Sequence, residues 1–191
     1  MKKFLVILSL IILSLTMGCG GGSDNAAGKL SVMLGSNVVS LDSAKCTDSA
    51  SFEVIADCID GLMQLDADGK PIPAIAESFD VSADGKTYTF RLRDAKWSNG
   101  DPVTADDFVF AWRRHCKESD KYAYIMSDTV ACVKNAEAVT KGADPTTLGV
   151  SAPDPKTFVV ELDAPVSFFP SLMTFPTFYP INEKSFNGLD A

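Results

Sequence analysis

Residues 74–114 read AIAESFDVSADGKTYTFRLRDAKWSNGDPVTADDFVFAWRR, and the order of patterns in this stretch decides the kind of fold the chain adopts. Two runs, Ser78–Val81 and Thr87–Leu92, flank the turn Ala83-Asp84-Gly85-Lys86, whose Asp-Gly pair supplies the positive φ that a tight turn requires. In the second run Tyr88, Phe90 and Leu92 alternate with Thr87, Thr89 and Arg91, which predicts one apolar and one polar face. Asn99-Gly100-Asp101-Pro102 makes a further turn. Thr104 then opens a helix as its N-cap, with Asp107 in the reciprocal capping position and two acids at the positive end of the helix dipole. Phe108, Ala111 and Trp112 give that helix a buried side, and Arg113 and Arg114 gather at its far end. A meander feeding an amphipathic helix is a mixed α+β pattern.

The pattern continues on both sides. Lys29–Leu34 alternates and predicts a first strand, residues 35–45 are turn-rich, and Ser49–Ile59 carries Phe52, Ile55, Ala56 and Ile59 at helical spacing, with Gly61 as its C′ stop. Residues 62–65 and 70–75 form a hairpin around Asp66-Ala67-Asp68-Gly69; the glutamate that would make this a calcium loop is missing. Downstream, the sequence predicts a helix over Tyr122–Thr140, a strand at Thr157–Leu162 after the turn Pro153–Lys156, and a short helix at Val166–Met173. Phe175–Pro180 is expected to be extended, and residues 182–191 helix-like with no closing cap.

Composition excludes several function classes. The 191 residues are 46% hydrophobic and 22% charged, as in an ordinary globular domain, and the formal net charge is −8. A nucleic-acid partner is therefore not expected, because phosphate binding needs a basic surface. His115 is the single histidine, which excludes a multi-histidine metal site, and no cysteine pair has zinc-ligand spacing. A serine elbow, a phosphate loop and a plausible triad are all missing, so the chain reads as a non-enzyme without a cofactor or a metal.

Lys2 and Lys3 precede an apolar run from Phe4 to Leu15 that spans about 18 Å as a helix, short of a membrane crossing. This is signal-peptide patterning. The sequence Leu15-Thr16-Met17-Gly18-Cys19 followed by Gly20-Gly21-Gly22-Ser23 resembles the lipobox of bacterial lipoproteins, with Thr16 in place of the usual leucine. The resemblance implies cleavage after Gly18 and a lipid on Cys19. Removing residues 1–18 leaves 15 basic and 25 acidic side chains, net −10, so the lipid rather than charge would hold the protein at an anionic membrane.

Four cysteines remain. Cys46 and Cys58 flank the predicted helix, about 18 Å apart and too far to bridge. Cys116 and Cys132 are placed to approach in a helical hairpin; buried thiols are the alternative.

The stretch 74–114 also carries a resemblance. A-E-S, the D-G-K turn, the aromatic strand, L-R, and then K-W-S-N-G-D-P-V-T-A-D-D before an aromatic helix resemble solute-binding protein family 5, the extracytoplasmic oligopeptide- and dipeptide-binding proteins of ABC importers. Over about residues 30–185, Ser40-Leu41-Asp42 matches an early S-L-D-P element with Ser43 replacing proline, and Ile59-Asp60-Gly61-Leu62 matches F-E-G-L. Leu148–Val150, Pro165–Phe169 and Phe175–Pro180 match later landmarks of the oligopeptide binders. The spacing from Arg93 to Trp97 is one residue tighter than in many relatives.

The resemblance implies a type II periplasmic-binding-protein-like architecture of two lobes, of which only the N-terminal part is expected here. Its divisions would be a signal peptide at 1–18, a tether at 19–29 and the start of lobe I at 30–60. An inserted α+β subdomain would occupy 61–175, with a truncated return toward lobe I at 176–191. It implies an oligopeptide ligand, ABC permease subunits as partners, membrane contact through the lipid on Cys19, and a monomer at full length. Dipeptide, nickel, haem or sugar binding, or a role as a peptide-signal receptor or surface lipoprotein, is the alternative. Ligand contacts carry over to Thr47, Asp48 and Ser49, after the S-L-D element, and to Tyr122 in Lys121-Tyr122-Ala123-Tyr124. Helix capping by residues 47–49 and a core or rim role for Tyr122 are equally open. Trp97, Phe108 and Trp112 read as core, and Asp42 and Asp107 as turn and cap acids.

Overall fold

The computed structural model describes residues 31–119, 121–127 and 129–187. The signal peptide, Cys19, the tether, residues 29–30 of the expected first strand and residues 188–191 lie outside the described residues. Helix α1 spans Ser49–Cys58. Strands β1 (Met63–Leu65) and β2 (Pro71–Pro73) form the first hairpin, where Asp66 Oδ1 accepts the N–H groups of Asp68 and Lys70 and Gly69 takes a φ of 76°.

A four-stranded antiparallel sheet carries the fold in the order β3 (Ala76–Val81), β4 (Thr87–Leu92), β6 (Thr157–Glu161), β5 (Val150–Asp154). Tyr88, Phe90 and Leu92 of β4 are buried, as their alternation predicts, beside Phe158 and Val160 of β6. Helix α2 (Ala105–Glu118) covers this face with Phe108 and Trp112. The Trp112 ring meets Phe158 and Phe178 at 5.1 Å each, and its Nε1 donates to the Phe178 carbonyl at 3.0 Å. Burying an aromatic of this size contributes about 2–3 kcal/mol, and the hydrogen bond prevents the indole N–H from offsetting that gain.

Several sequence expectations are corrected. Residues 31–34 form no strand. The predicted helix over 122–140 breaks into a 3₁₀ turn, Ala123–Met126, and a short helix α3, Ala136–Thr140. Between them Val133 bridges Leu162 and the Lys134 N–H donates to the Glu161 carbonyl at 2.9 Å, so sheet pairing captures this backbone. Cys132 and Asn135 adopt φ values of 53° and 62°, which a helix does not permit. Strand β5 was not foreseen, because Pro153 within it reads as a turn. The apolar run at 166–173 shortens to α4, Phe169–Leu172, and Phe175–Pro180 holds a 3₁₀ turn at Pro176–Phe178, where proline suits the first helical position. Residues 183–187 form α5, Glu183–Asn187.

Gly61 does not cap α1, which ends at Cys58 with Ile59 extended. It is needed for space instead: a Cβ at this position would lie 2.8 Å from the Met173 carbonyl and collide with the Tyr179 ring.

Candidate functional site

The loop that enters α1 is organised by two carboxylates. Asp48 is the N-cap: its Oδ1 accepts the Ser51 N–H at 2.9 Å and its Oδ2 the Ser51 hydroxyl at 2.7 Å. These Ser51 bonds hold the Asp48 carboxyl below the usual carboxylate range. The buried Ser51 Oγ in turn accepts the N–H groups of Val39 and Ser40 at 3.0 and 3.2 Å, so the cap also fastens the incoming chain. Thr47 and Ser49 flank Asp48 and are exposed.

Asp42 closes the preceding turn. Its Oδ1 accepts the Ala44 N–H at 3.0 Å, and its carbonyl accepts from Lys45 and Cys46 at 3.0 and 2.8 Å. The same carboxylate receives Arg114 in a two-pronged pair, Nη1 to Oδ1 at 2.7 Å and Nη2 to Oδ2 at 2.6 Å. Burial pushes the Asp42 carboxyl up. The Arg114 and Ala44 hydrogen bonds, with the charges of Arg114 and Lys45, outweigh it and hold the group below its ordinary value. Sequence reading assigned Asp42 to its turn and missed Arg114. The available signal was spacing: Arg114 lies seven residues after the buried Asp107, on one face of α2, where a charge needs a partner.

Tyr122 is half-buried in an aromatic cluster. Its ring meets Phe52 edge-on at 5.4 Å, stacks on Tyr124 at 6.1 Å and lies 6.2 Å from Phe175, which is 4.8 Å from Phe52. Phe52 belongs to the first turn of α1. The structure therefore brings Tyr122 to the same end of the helix that Asp48 caps, through a ring that sequence reading took only as helix patterning. Edge-on contacts of this type contribute about 0.5–1.5 kcal/mol each and fix ring orientation.

A separate open cavity of about 550 Å³ is bounded by Leu41, Asp42, Ile59, Trp97, Ile181 and Phe186 among others, and none of residues 47–49 or Tyr122 lines it. Trp97 is half-buried at this cavity, whereas Phe108 and Trp112 are fully buried. The Cys116–Cys132 disulfide is not formed: both residues are thiols, and Cys116 Sγ instead lies 3.5 Å from the Met126 sulfur, buried where α2 packs on the 3₁₀ turn. Burial pushes the Cys116 thiol up to about 12. Among the described residues, no group of three His, Cys, Asp or Glu side chains is placed to hold a metal ion, and no helix is long and apolar enough to cross a membrane.

Residues 70–190 match the family described as bacterial extracellular solute-binding proteins, family 5. The chain belongs to this family. Among curated relatives, the oligopeptide-binding protein OppA of Bacillus subtilis is 36% identical over 196 residues, covering 96% of this chain and 36% of its own. Among solved structures, the substrate-binding domain of an oligopeptide ABC transporter from Bacillus anthracis has a TM-score of 0.74 at 49% identity, covering 78% of this chain and 29% of its own. Listeria monocytogenes OppA bound to peptide also reaches 0.74, at 40% identity, covering 78% and 30%. The chain thus spans about a third of the length of such relatives, and its fold is that part of the type II periplasmic-binding-protein architecture. Within residues 74–114, Tyr88, Phe90, Leu92, Phe108 and Trp112 are buried in sheet and core and Asp107 serves the entry of α2, whereas Trp97 lines the open cavity and Arg114 reaches Asp42.

Proposed function

We propose that the protein is the lipid-anchored substrate-binding component of an ABC importer, capturing oligopeptides outside the cytoplasmic membrane and delivering them to the permease. The observation that carries this reading is the meeting of the Asp48-capped loop with the Tyr122 cluster through Phe52, in a chain similar to OppA bound to peptide. Thr47 and Ser49 are exposed hydroxyl-bearing residues at the N-terminal end of α1, whose Phe52 meets Tyr122, a chemistry that suits peptide backbone whatever its side chains. Ligand capture would proceed by closure of two lobes, driven by tighter binding to the closed state. The divisions at 1–18, 19–29, 30–60, 61–175 and 176–191, and a monomeric state at full length, belong to the same proposal.

Calorimetry of the full-length protein with a mixed tri- to pentapeptide pool tests the ligand class. Saturable heat is expected; saturable nickel or sugar binding with no peptide heat would overturn it. Anchoring is tested separately. A Cys19→Ala protein is expected in the soluble fraction, and one that stayed membrane-associated would refute a lipid on Cys19.

A further inference from the structure

We propose that Arg114 is a positioning residue for the ligand-facing loop at residues 47–49, acting through Asp42; this rests on the peptide-binding reading of that loop. The Arg114 side chain is only 4% exposed, a burial that a guanidinium tolerates only with partners. Its partners come from three parts of the chain. Asp42 supplies the two-pronged carboxylate, Glu118 one turn along α2 lies at 3.0 Å, and the Phe186 ring of α5 lies 4.3 Å under the guanidinium carbon. The fork geometry fixes the plane of the Asp42 carboxylate as well as its distance.

That plane matters because the carboxylate is shared. The oxygen facing Arg114 Nη1 also accepts the Ala44 N–H, and the Asp42 carbonyl accepts from Lys45 and Cys46. The turn 42–46 is therefore shaped by a group whose position α2 dictates. Cys46 at its end is buried with Ile55 of α1 and Tyr179, and the next three residues are Thr47, Asp48 and Ser49. On the far side, the Asp48–Ser51 cap closes the loop onto Val39 and Ser40. A loop held at both ends loses less conformational freedom when a ligand binds, so releasing one end weakens binding without altering a direct contact.

The test uses the intact protein with Asp42→Asn, Arg114→Gln, Arg114→Lys and Glu118→Gln. Amide hydrogen exchange is followed at residues 44–51 and in β4 and β6, and calorimetry measures binding of the mixed tri- to pentapeptide pool. Asp42→Asn and Arg114→Gln are expected to speed exchange at 44–51 and weaken peptide binding, each by about tenfold, with β4 and β6 little changed. Arg114→Lys recovers part of both effects, because it keeps the charge and loses the fork. Glu118→Gln leaves both readouts near wild type, since it keeps an acceptor oxygen for Arg114 Nη2 and leaves the Asp42 fork in place. Exchange rising equally in β4 and β6 would mean a merely structural role and overturn the proposal. So would a loosened loop with unchanged affinity, which leaves peptide binding itself intact. Absence of peptide heat from the wild-type protein is a different outcome, and it sinks the functional reading beneath the proposal.

Discussion

Trp97 Nε1 donates to Asp107 Oδ2 at 3.1 Å, and the same oxygen accepts the Thr104 N–H at 2.9 Å. One buried carboxylate thus satisfies the entry of α2 and anchors the loop that carries the tryptophan. Asp107→Ala removes both bonds and leaves an indole N–H and a helix-entry N–H without a partner. The expected cost is about 2–3 kcal/mol in urea unfolding. Asp107→Asn keeps one acceptor oxygen and should lose roughly half as much. An alanine variant within about 0.5 kcal/mol of wild type would show that the shared carboxylate is not a structural link.

Gly61 gives a sharper test of packing. Gly61→Ala places a methyl against the Tyr179 ring and 2.8 Å from the Met173 carbonyl, and Tyr179 cannot yield freely because its hydroxyl donates to the Thr174 carbonyl at 2.9 Å. Destabilisation of about 1–3 kcal/mol is expected. The paired control is Gly35→Ala, which meets nothing within 4 Å and should stay within about 0.5 kcal/mol. Equal effects at the two glycines would rule out the steric explanation.

Thiol chemistry separates the cysteines. Cys58 is exposed, whereas burial, with help from Asp48 and Asp42, pushes the Cys46 thiol up to about 11, and burial pushes Cys116 up to about 12. At pH 8 an alkylating reagent should label Cys58 first and reach Cys46 and Cys116 only on unfolding. A non-reducing peptide map should recover Cys116 and Cys132 in separate peptides. A cross-linked peptide would restore the disulfide that the structure does not form.

Elements whose signal is local were legible in the sequence. Strand β4 shows its alternation, α2 shows its cap and stripe, and the hairpin turns show Asp-Gly pairs whose glycines do adopt positive φ. Elements set by distant partners were not. Residues 127–135 have helix-compatible composition, yet Val133 and Lys134 pair with Leu162 and Glu161 at the C-terminal end of β6, 29 and 27 residues away. The candidate site divides in the same way. Asp48 is a cap that its own neighbours announce, whereas the Arg114–Asp42 pair joins residues 72 positions apart and has no local signature beyond a charge on a buried stripe.

His115 should make the protein acid-sensitive. The ring is 1% exposed, and no hydrogen bond of normal geometry reaches Nδ1 or Nε2. Burial lowers its pKa below 6.5, the charge of Arg114 lowers it further, and the Tyr122 backbone and Asp42 oppose them only in part. The folded protein therefore refuses a proton that the unfolded chain accepts. Stability is fully present above pH 6.5 and falls as the pH drops below it, by at most about 1.4 kcal/mol per pH unit, until the folded-state value is reached. Asp42 acts lower on the scale: its depressed pKa contributes stability above 3.8 that is lost as the pH falls below that value. Urea unfolding at pH 8, 7, 6 and 5 should show the histidine slope, and His115→Leu should flatten it because the buried site no longer titrates. The leucine variant should also be at least as stable at pH 5, since it removes two buried ring nitrogens that no hydrogen bond of normal geometry reaches. Parallel slopes in the two proteins would place the acid sensitivity elsewhere.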